Sequence, residues 1–448
     1  MEANEEPKDN DIGINSENKQ EGEVALNPQN NSSDEPPSTL AVKMKFLLFG
    51  FSSLLAWSSF LTKLSFFNYF VPKLKPYESL SFLNFALNIV LQFVVLWKKD
   101  LFKLKHQLLF GLIGSIVFIV IIPLSMIFLK NYESLNIATT VILTLLMGLI
   151  NAFCSSSFFA LVSFFPLDMI ISLSAGQGVS AILMNVIEYI ILGTVDYGED
   201  QEKTEIVGAI ILFSVTFFIL LATLITLLLS YNTEYFQYYL NKKDNAEENT
   251  VEPSVQLVNE EGVYINKTEI GFCQMFKLLR DIDLLCAFLY VVTFMLYPIG
   301  FSDMSLFSLD TKYYMNTILI IYNICDTAGR YLVKIMKTTK KITFIVILSR
   351  SILIFTIIIN FALQKNDYSS AATGILTIVN VITFGITNGM GQTLCFGIAP
   401  TLVKDEYKGQ AGASVSFFTI VGIFIGACLA FATGAIKDAI AEGAQNPS

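Results

Sequence analysis

The sequence holds a single histidine, His106, and its Asp, Glu, Lys and Arg together make up only 15% of 448 residues. A zinc site or a Ser-His-Asp triad needs imidazole, and the one present lies in a basic loop, so neither chemistry is expected. Six cysteines (Cys154, Cys273, Cys286, Cys325, Cys395 and Cys428) are scattered without a CxxC pair. They read as small core hydrophobes, neither a disulfide framework nor a metal site. Charge is too sparse to cover a soluble domain of this size. The net charge of −9 sits mainly in tails and loops, where it serves solvation. Nothing resembles a nucleic-acid footprint, and no cofactor is expected.

What is present is apolar: 53% of the residues are hydrophobic, and 38 are Phe. Eleven apolar spans recur, at about 46–70, 78–97, 108–129, 135–165, 169–193, 206–230, 284–302, 313–333, 342–364, 373–402 and 411–435, each near the length that crosses a bilayer as a helix. The pattern predicts an all-α polytopic membrane protein. Residues 1–42, rich in Asn, Glu, Ser and Pro, are expected to form a disordered tail, because they bury too little apolar area to offset their ordering entropy. They make no signal peptide, since the hydrophobic stretch comes too late.

A polar stretch, 231–283, contains "NKKDNAEENTVEP" and divides six spans from five. An N-terminal bundle over 43–230, a C-terminal bundle over 284–436 and a short tail at 437–448 follow from it. Two bundles around a midplane site are typical of transporters. Lys and Arg set the orientation: with the N-terminus inside, about 19 basic residues face the cytoplasm and about 7 face out. The tail at 437–448 then lies outside, and the central stretch lies inside. The sequons at Asn31 and Asn266 fall on the cytoplasmic side, where they stay unglycosylated.

Five ionisable residues interrupt the spans: Lys63, Glu188, Asp326, Arg330 and Arg350. Each costs about 2.5–3.5 kcal/mol at a helix centre on insertion scales and so requires a reason. Asp326 and Arg330, in "YNICDTAGR", stand one turn apart on one helical face. They can present acceptors and donors to a polar substrate, or they can fix helix packing as a buried ion pair. Gly329 between them, like the glycines of "GQG", serves either as a hinge or as a point of close helix contact. Lys63 can pair with Glu188 or snorkel to the interface.

"YNICDTAGR" resembles the eighth-helix signature of the equilibrative nucleoside transporter family. "LLAWSSFLTKLSFF" resembles its first helix, with Trp57, and "FFPLDMIISLSAGQG" its fourth and fifth, with Pro166, Gly176, Gln177 and Gly178. "LSRSILIF" resembles the ninth helix around Arg350. "NGMGQTLCFGIAPTLVKDEYKGQAGASVSFFTIVGIFIGA" resembles the tenth and eleventh, with Asn388, Gly389, Pro400, Gly412, Phe417 and Phe418. The resemblance runs in order from about residue 46 to 435 and is similar in type to a protozoan member. It implies a major-facilitator-like fold and facilitated diffusion of nucleosides or nucleobases, purines among them, by alternating access. It further implies a monomer in the plasma membrane whose partners are the substrate and the lipid bilayer. Asp326, Arg330 and Trp57 would contact the substrate. Pro166, Gly176, Gln177, Gly178, Gly329, Arg350, Asn388 and Pro400 would serve structure or gating.

Departures bear on selectivity. Ser155 stands where the family often has a substrate-contacting Gln, and a single hydroxyl implies looser reading of the base. Ala56 and Ser58 flank Trp57 where Pro and Asn are common. An intramembrane enzyme would need a catalytic constellation that these residues do not offer. The competing reading is a major-facilitator carrier of another polar solute such as a sugar, or a proton-coupled nucleoside carrier that uses Glu188 or Asp326.

Overall fold

The computed structural model of the chain describes residues 36–98, 103–195, 197, 200–249, 271–296, 311–336, 338–366 and 371–445. Most of the N-terminal tail and the central stretch 250–270, with both sequons, lie outside the described residues, as do the last three residues. The regular elements are helical throughout, in the order α1 (Leu40–Thr62), α2 (Leu64–Phe70), α3 (Pro76–Trp97), α4 (Leu104–Phe128), α5 (Glu133–Val162), α6 (Leu167–Thr194), α7 (Gln201–Ser230), α8 (Glu234–Asn249), α9 (Phe272–Leu296), α10 (Thr311–Leu332), α11 (Lys340–Asn366), α12 (Ala371–Ile398) and α13 (Lys408–Gln445).

Local sequence explains where several of these helices start. Thr39 caps α1 by accepting from Val42 N at 3.4 Å, and Asp200 caps α7 by accepting from Lys203 N at 3.0 Å. Lys75 takes a left-handed φ of 50°, and Pro76 then opens α3 with its φ preset. Pro166 stands at the N-cap of α6. Pro123 falls inside α4, which membrane helices tolerate when neighbours satisfy the freed carbonyl.

Among the described residues nine helices are long and apolar enough to cross a bilayer. Phe128, Phe218, Leu229, Ile345 and Phe355 are exposed on them, a distribution that suits lipid and not water. Helices α9 and α10 have the length without the composition: α10 carries Asn316, Asn323, Asp326 and Arg330, and α9 opens with charged turns. Two boundaries differ from the hydropathy pattern. The polar stretch 231–283 contains α8 and the first turns of α9, where Met275, Leu279 and Ile282 bury one face. Helix α13 runs on to Gln445, past the apolar limit. Intrahelical hydrogen bonding continues where an apolar face or a neighbouring turn supports it, so helix ends need not coincide with apolar ends.

The helices alternate in direction. The starts of α1 and α6 meet through Lys43 and Asp168 at 2.6 Å, on what we call the near face. On the far face Lys73 meets Glu133 at 2.8 Å, and Lys130 meets Glu202, whose hydrogen bond raises the lysine above its usual range. Helix α1 packs on α6 and α7, α5 on α3 and α4, α13 on α9, and α12 on α10 and α11. Between these two groups run seams of α6 against α10 and of α13 against α3 and α5.

Small residues permit the closest crossings. A Cβ on Gly50 would lie 1.7 Å from Leu173 O, and one on Gly389 would lie 1.9 Å from Asp326 O. Neither backbone can yield without parting the helices. Gly193, in contrast, has nothing within 4 Å of its missing Cβ. Gly50→Ala is expected to cost about 1–3 kcal/mol by overpacking, lowering the melting temperature of the detergent-solubilised protein. Gly193→Ala should leave that temperature unchanged.

Candidate functional site

Asp326 and Arg330 do form the ion pair that their spacing allows, with Arg330 Nε donating to Asp326 Oδ2 at 2.7 Å. Both are buried, 3% and 5% exposed. The rest of the arginine reaches out of its own helix group. Arg330 Nη1 donates to Ser174 O at 2.5 Å and to Gln177 Oε1 at 3.1 Å, both on α6. Gln392 of α12 donates to the same Gln177 oxygen at 2.8 Å, and Gln177 Nε2 donates to Ser53 Oγ of α1 at 3.0 Å. One glutamine therefore joins α1, α6, α10 and α12.

The chain continues on the acid side. Asn388 Nδ2 donates to Asp326 Oδ1 at 2.7 Å, and Thr293 Oγ1 lies 2.8 Å from Asn388 Oδ1. Arg350, fully buried, donates through Nη2 to Thr293 Oγ1 at 2.8 Å. Its Nη1 reaches Phe384 O at 3.0 Å and Thr387 Oγ1 at 2.9 Å, and its guanidinium lies 4.3 Å from the centre of the Phe384 ring. The whole set is one polar path, from Ser53 through Gln177, Arg330, Asp326, Asn388 and Thr293 to Arg350. In a low-dielectric setting such a path is stable only when its members satisfy one another. Ser174 Oγ and Gln392 Oε1 remain without a partner beside it, as does Arg350 Nε at its end.

The glycines of the site sit where this path needs close approach. A Cβ on Gly178 would meet Thr327 Oγ1 of α10 at 2.2 Å, across the seam. Gly329 faces Ile386 O of α12, and Gly176 faces Leu47 O of α1. Close helix contact is what the backbone shows at these three positions.

Other residues picked out from the sequence lie elsewhere. Trp57 is buried in the first helix group, edge-on to Phe85 at 5.4 Å, and lines a small apolar cavity with Phe60, Leu80 and Met147. Ser155 lies on α5, outside the polar path, and Pro166 and Pro400 mark helix ends. Lys63 does not snorkel: its ammonium lies 3.1 Å from Glu188 and 3.3 Å from Glu205, nearly buried at the break between α1 and α2. No spacing within one helix could show that triad, because its members come from the α1–α2 break, α6 and α7. Sequence reading also passed over Asp283, which is fully buried and accepts from Ser414 Oγ at 2.9 Å. It fell just outside an apolar span and so seemed to be a loop residue.

Among the described residues no group of three or more His, Cys, Asp or Glu could hold a metal ion. The architecture is that of a polytopic transporter with major-facilitator-like packing. It resembles the proton:xylose symporter XylE bound to 6-bromo-6-deoxy-D-glucose, with a TM-score of 0.61 and 14% identity over 90% of this chain and 89% of that one. It also resembles the E. coli fucose:proton symporter FucP (0.55, 14%, 90% and 93%) and the human organic anion transporter MFSD10 (0.53, 12%, 89% and 98%). No curated protein matches by sequence. Residues 140–435 match the family described as Nucleoside transporter, and the chain belongs to that family. It is a membrane transporter of small polar solutes, not an enzyme.

Removing either member of the buried pair strands the other, at about 3–5 kcal/mol. Asp326→Ala and Arg330→Ala are each expected to abolish uptake and to lower the amount of folded protein. Exchanging the two keeps the net charge but sets a carboxylate against Ser174 O and a guanidinium against the Asn388 amide. Uptake by the exchanged variant, normalised to surface amount, should therefore stay near background. Normal uptake would show that the order of charge is immaterial.

Proposed function

We propose that the protein carries nucleosides and nucleobases, purines above all, down their gradient by alternating access. Family membership over residues 140–435 is the observation that carries this reading. The buried path supplies fitting chemistry. A ribose offers vicinal hydroxyls, which an acid–base pair can accept from and donate to. Ser174 Oγ and Gln392 Oε1, unpaired beside Arg330, are further partners for a hydroxyl or an exocyclic group once the helix groups part. Asp326 and Arg330 are then the substrate contacts, and Gln177 is the latch between groups. Trp57 provides an aromatic wall if its cavity joins the route.

The same reading takes all eleven long helices as spans, six before the central stretch and five after it. The N-terminus lies in the cytoplasm, the C-terminus lies outside, and the monomer sits in the plasma membrane. The near face is then cytoplasmic. A second reading, a carrier of sugars or a proton-coupled carrier, draws on the likeness to the xylose and fucose proton symporters.

Two measurements test these readings. In cells deficient in purine uptake, the chain is expected to restore accumulation of labelled purine nucleosides, competed by unlabelled purines and not by hexoses. Competition by hexoses alone, or accumulation that collapses with the proton gradient, favours the second reading. An epitope beside Asn245 should be reached by antibody only after permeabilisation, and one after Ser448 without it. Labelling of the central stretch in intact cells overturns the orientation.

A further inference from the structure

Helix α5 carries a second polar face that the ion-pair path does not use. Asn151 and Ser155 stand one turn apart on it, each 8% exposed, whereas Ala152, Cys154, Ser156 and Ser157 around them are at 2% or less. One turn further on, Phe159 stacks on Phe396 of α12 with centroids 3.6 Å apart. This face of α5 therefore looks across the seam towards the other helix group.

Asn151 is held from behind. Its Nδ2 donates to Asn84 Oδ1 at 2.8 Å, and Asn84 is 1% exposed within α3. Asn84 Nδ2 is buried without a partner, whereas Asn151 and Ser155 each keep 8% of their surface exposed, and neither Asn151 Oδ1 nor the Ser155 hydroxyl makes a hydrogen bond among the described residues. Turning both carboxamides over keeps one hydrogen bond and reverses its direction. Asn84 then donates to Asn151, its carbonyl takes the partnerless place that its amide nitrogen held, and Asn151 shows an NH2 to the seam in place of a carbonyl. Each state thus keeps one bond and leaves one buried Asn84 group unpaired.

We propose that Asn84 and Asn151 form a reversible amide pair that reads the base of the substrate, so that 6-amino and 6-oxo purines are both accepted. This rests on the nucleoside reading above. An exocyclic amino group donates to the Asn151 carbonyl, and an exocyclic oxygen accepts from the Asn151 amide once the pair has turned over. The Ser155 hydroxyl, free to rotate, donates to or accepts from the neighbouring ring nitrogen. A fixed donor or acceptor would instead reject one class, because the mismatched polar group would be left unpaired.

The test measures apparent KM for a 6-amino and a 6-oxo purine nucleoside in cells expressing the full chain, normalised to surface amount. The wild type should take up both with KM values of the same order. Ionised Asn84→Asp can only accept, so it locks the Asn151 carbonyl towards the seam, whereas a protonated one can also donate and leaves both states open, in which case Asn151→Ala decides. The ionised variant is expected to raise KM for the 6-oxo compound about tenfold while leaving the 6-amino compound little changed. Asn151→Ala should raise both KM values, and it decides the matter if Asn84→Asp does not reach the membrane. Uptake of both compounds by the wild type, with both KM values unchanged in Asn151→Ala, overturns the amide reader and leaves the nucleoside reading standing. A wild type that takes up neither compound overturns the nucleoside reading, and the amide reader with it.

Discussion

A guanidinium inside a membrane has to find acceptors for its donors, and water is not there to supply them. That requirement organises the centre of this molecule. Arg330 draws one acceptor from its own helix and the rest from α6. Those bonds set how far α10 and α6 can separate while the cation remains paired. The seam is thus held by hydrogen bonds to a charge. It is not held by apolar burial, which carries little drive between helices in lipid.

Polar side chains can meet at this depth only because the backbones are close. Gly389 lies against Asp326 O, Gly329 against Ile386 O and Gly178 against Thr327. A methyl group at any of these would push apart the helices whose side chains the network joins. Packing and polarity are therefore one design constraint here. Arg350 extends it: a second buried guanidinium, fixed to Thr293, Thr387 and the Phe384 carbonyl, ties α9, α11 and α12 behind the acid.

The helical layout was legible in the sequence because lipid imposes length and hydropathy on every crossing segment. So was the Asp326–Arg330 contact, which follows from helical periodicity alone. Gln177 stood out in the sequence only through a family resemblance. The bonds it makes were not legible, because its partners Ser53, Arg330 and Gln392 lie more than a hundred positions away in the chain. Lys63, Glu188 and Glu205 show the same limit, since they stand on separate segments of the chain and only folding makes a triad of them. Asp283 was hidden for a different reason: hydropathy ends a span at the first charge, whereas the helix and its burial continue. Asn151 sat unremarked one turn from Ser155, because a neutral amide does not stand out in an apolar run.

The backbone contacts between α10 and α12 have a bearing on the work done in each cycle. With Gly329 and Gly389 each seated on the opposite helix's carbonyl, the two helices have no room to slide, and Asp326 travels with Asn388 at its side. Most of the electrostatic work of dehydrating the pair is then done once, when the chain folds into the bilayer. In the cycle proposed above, what changes is the exchange of neutral acceptors on α6 for those of a solute. Such an exchange would let a carrier keep permanent charges at its centre without separating and re-solvating them at every turnover.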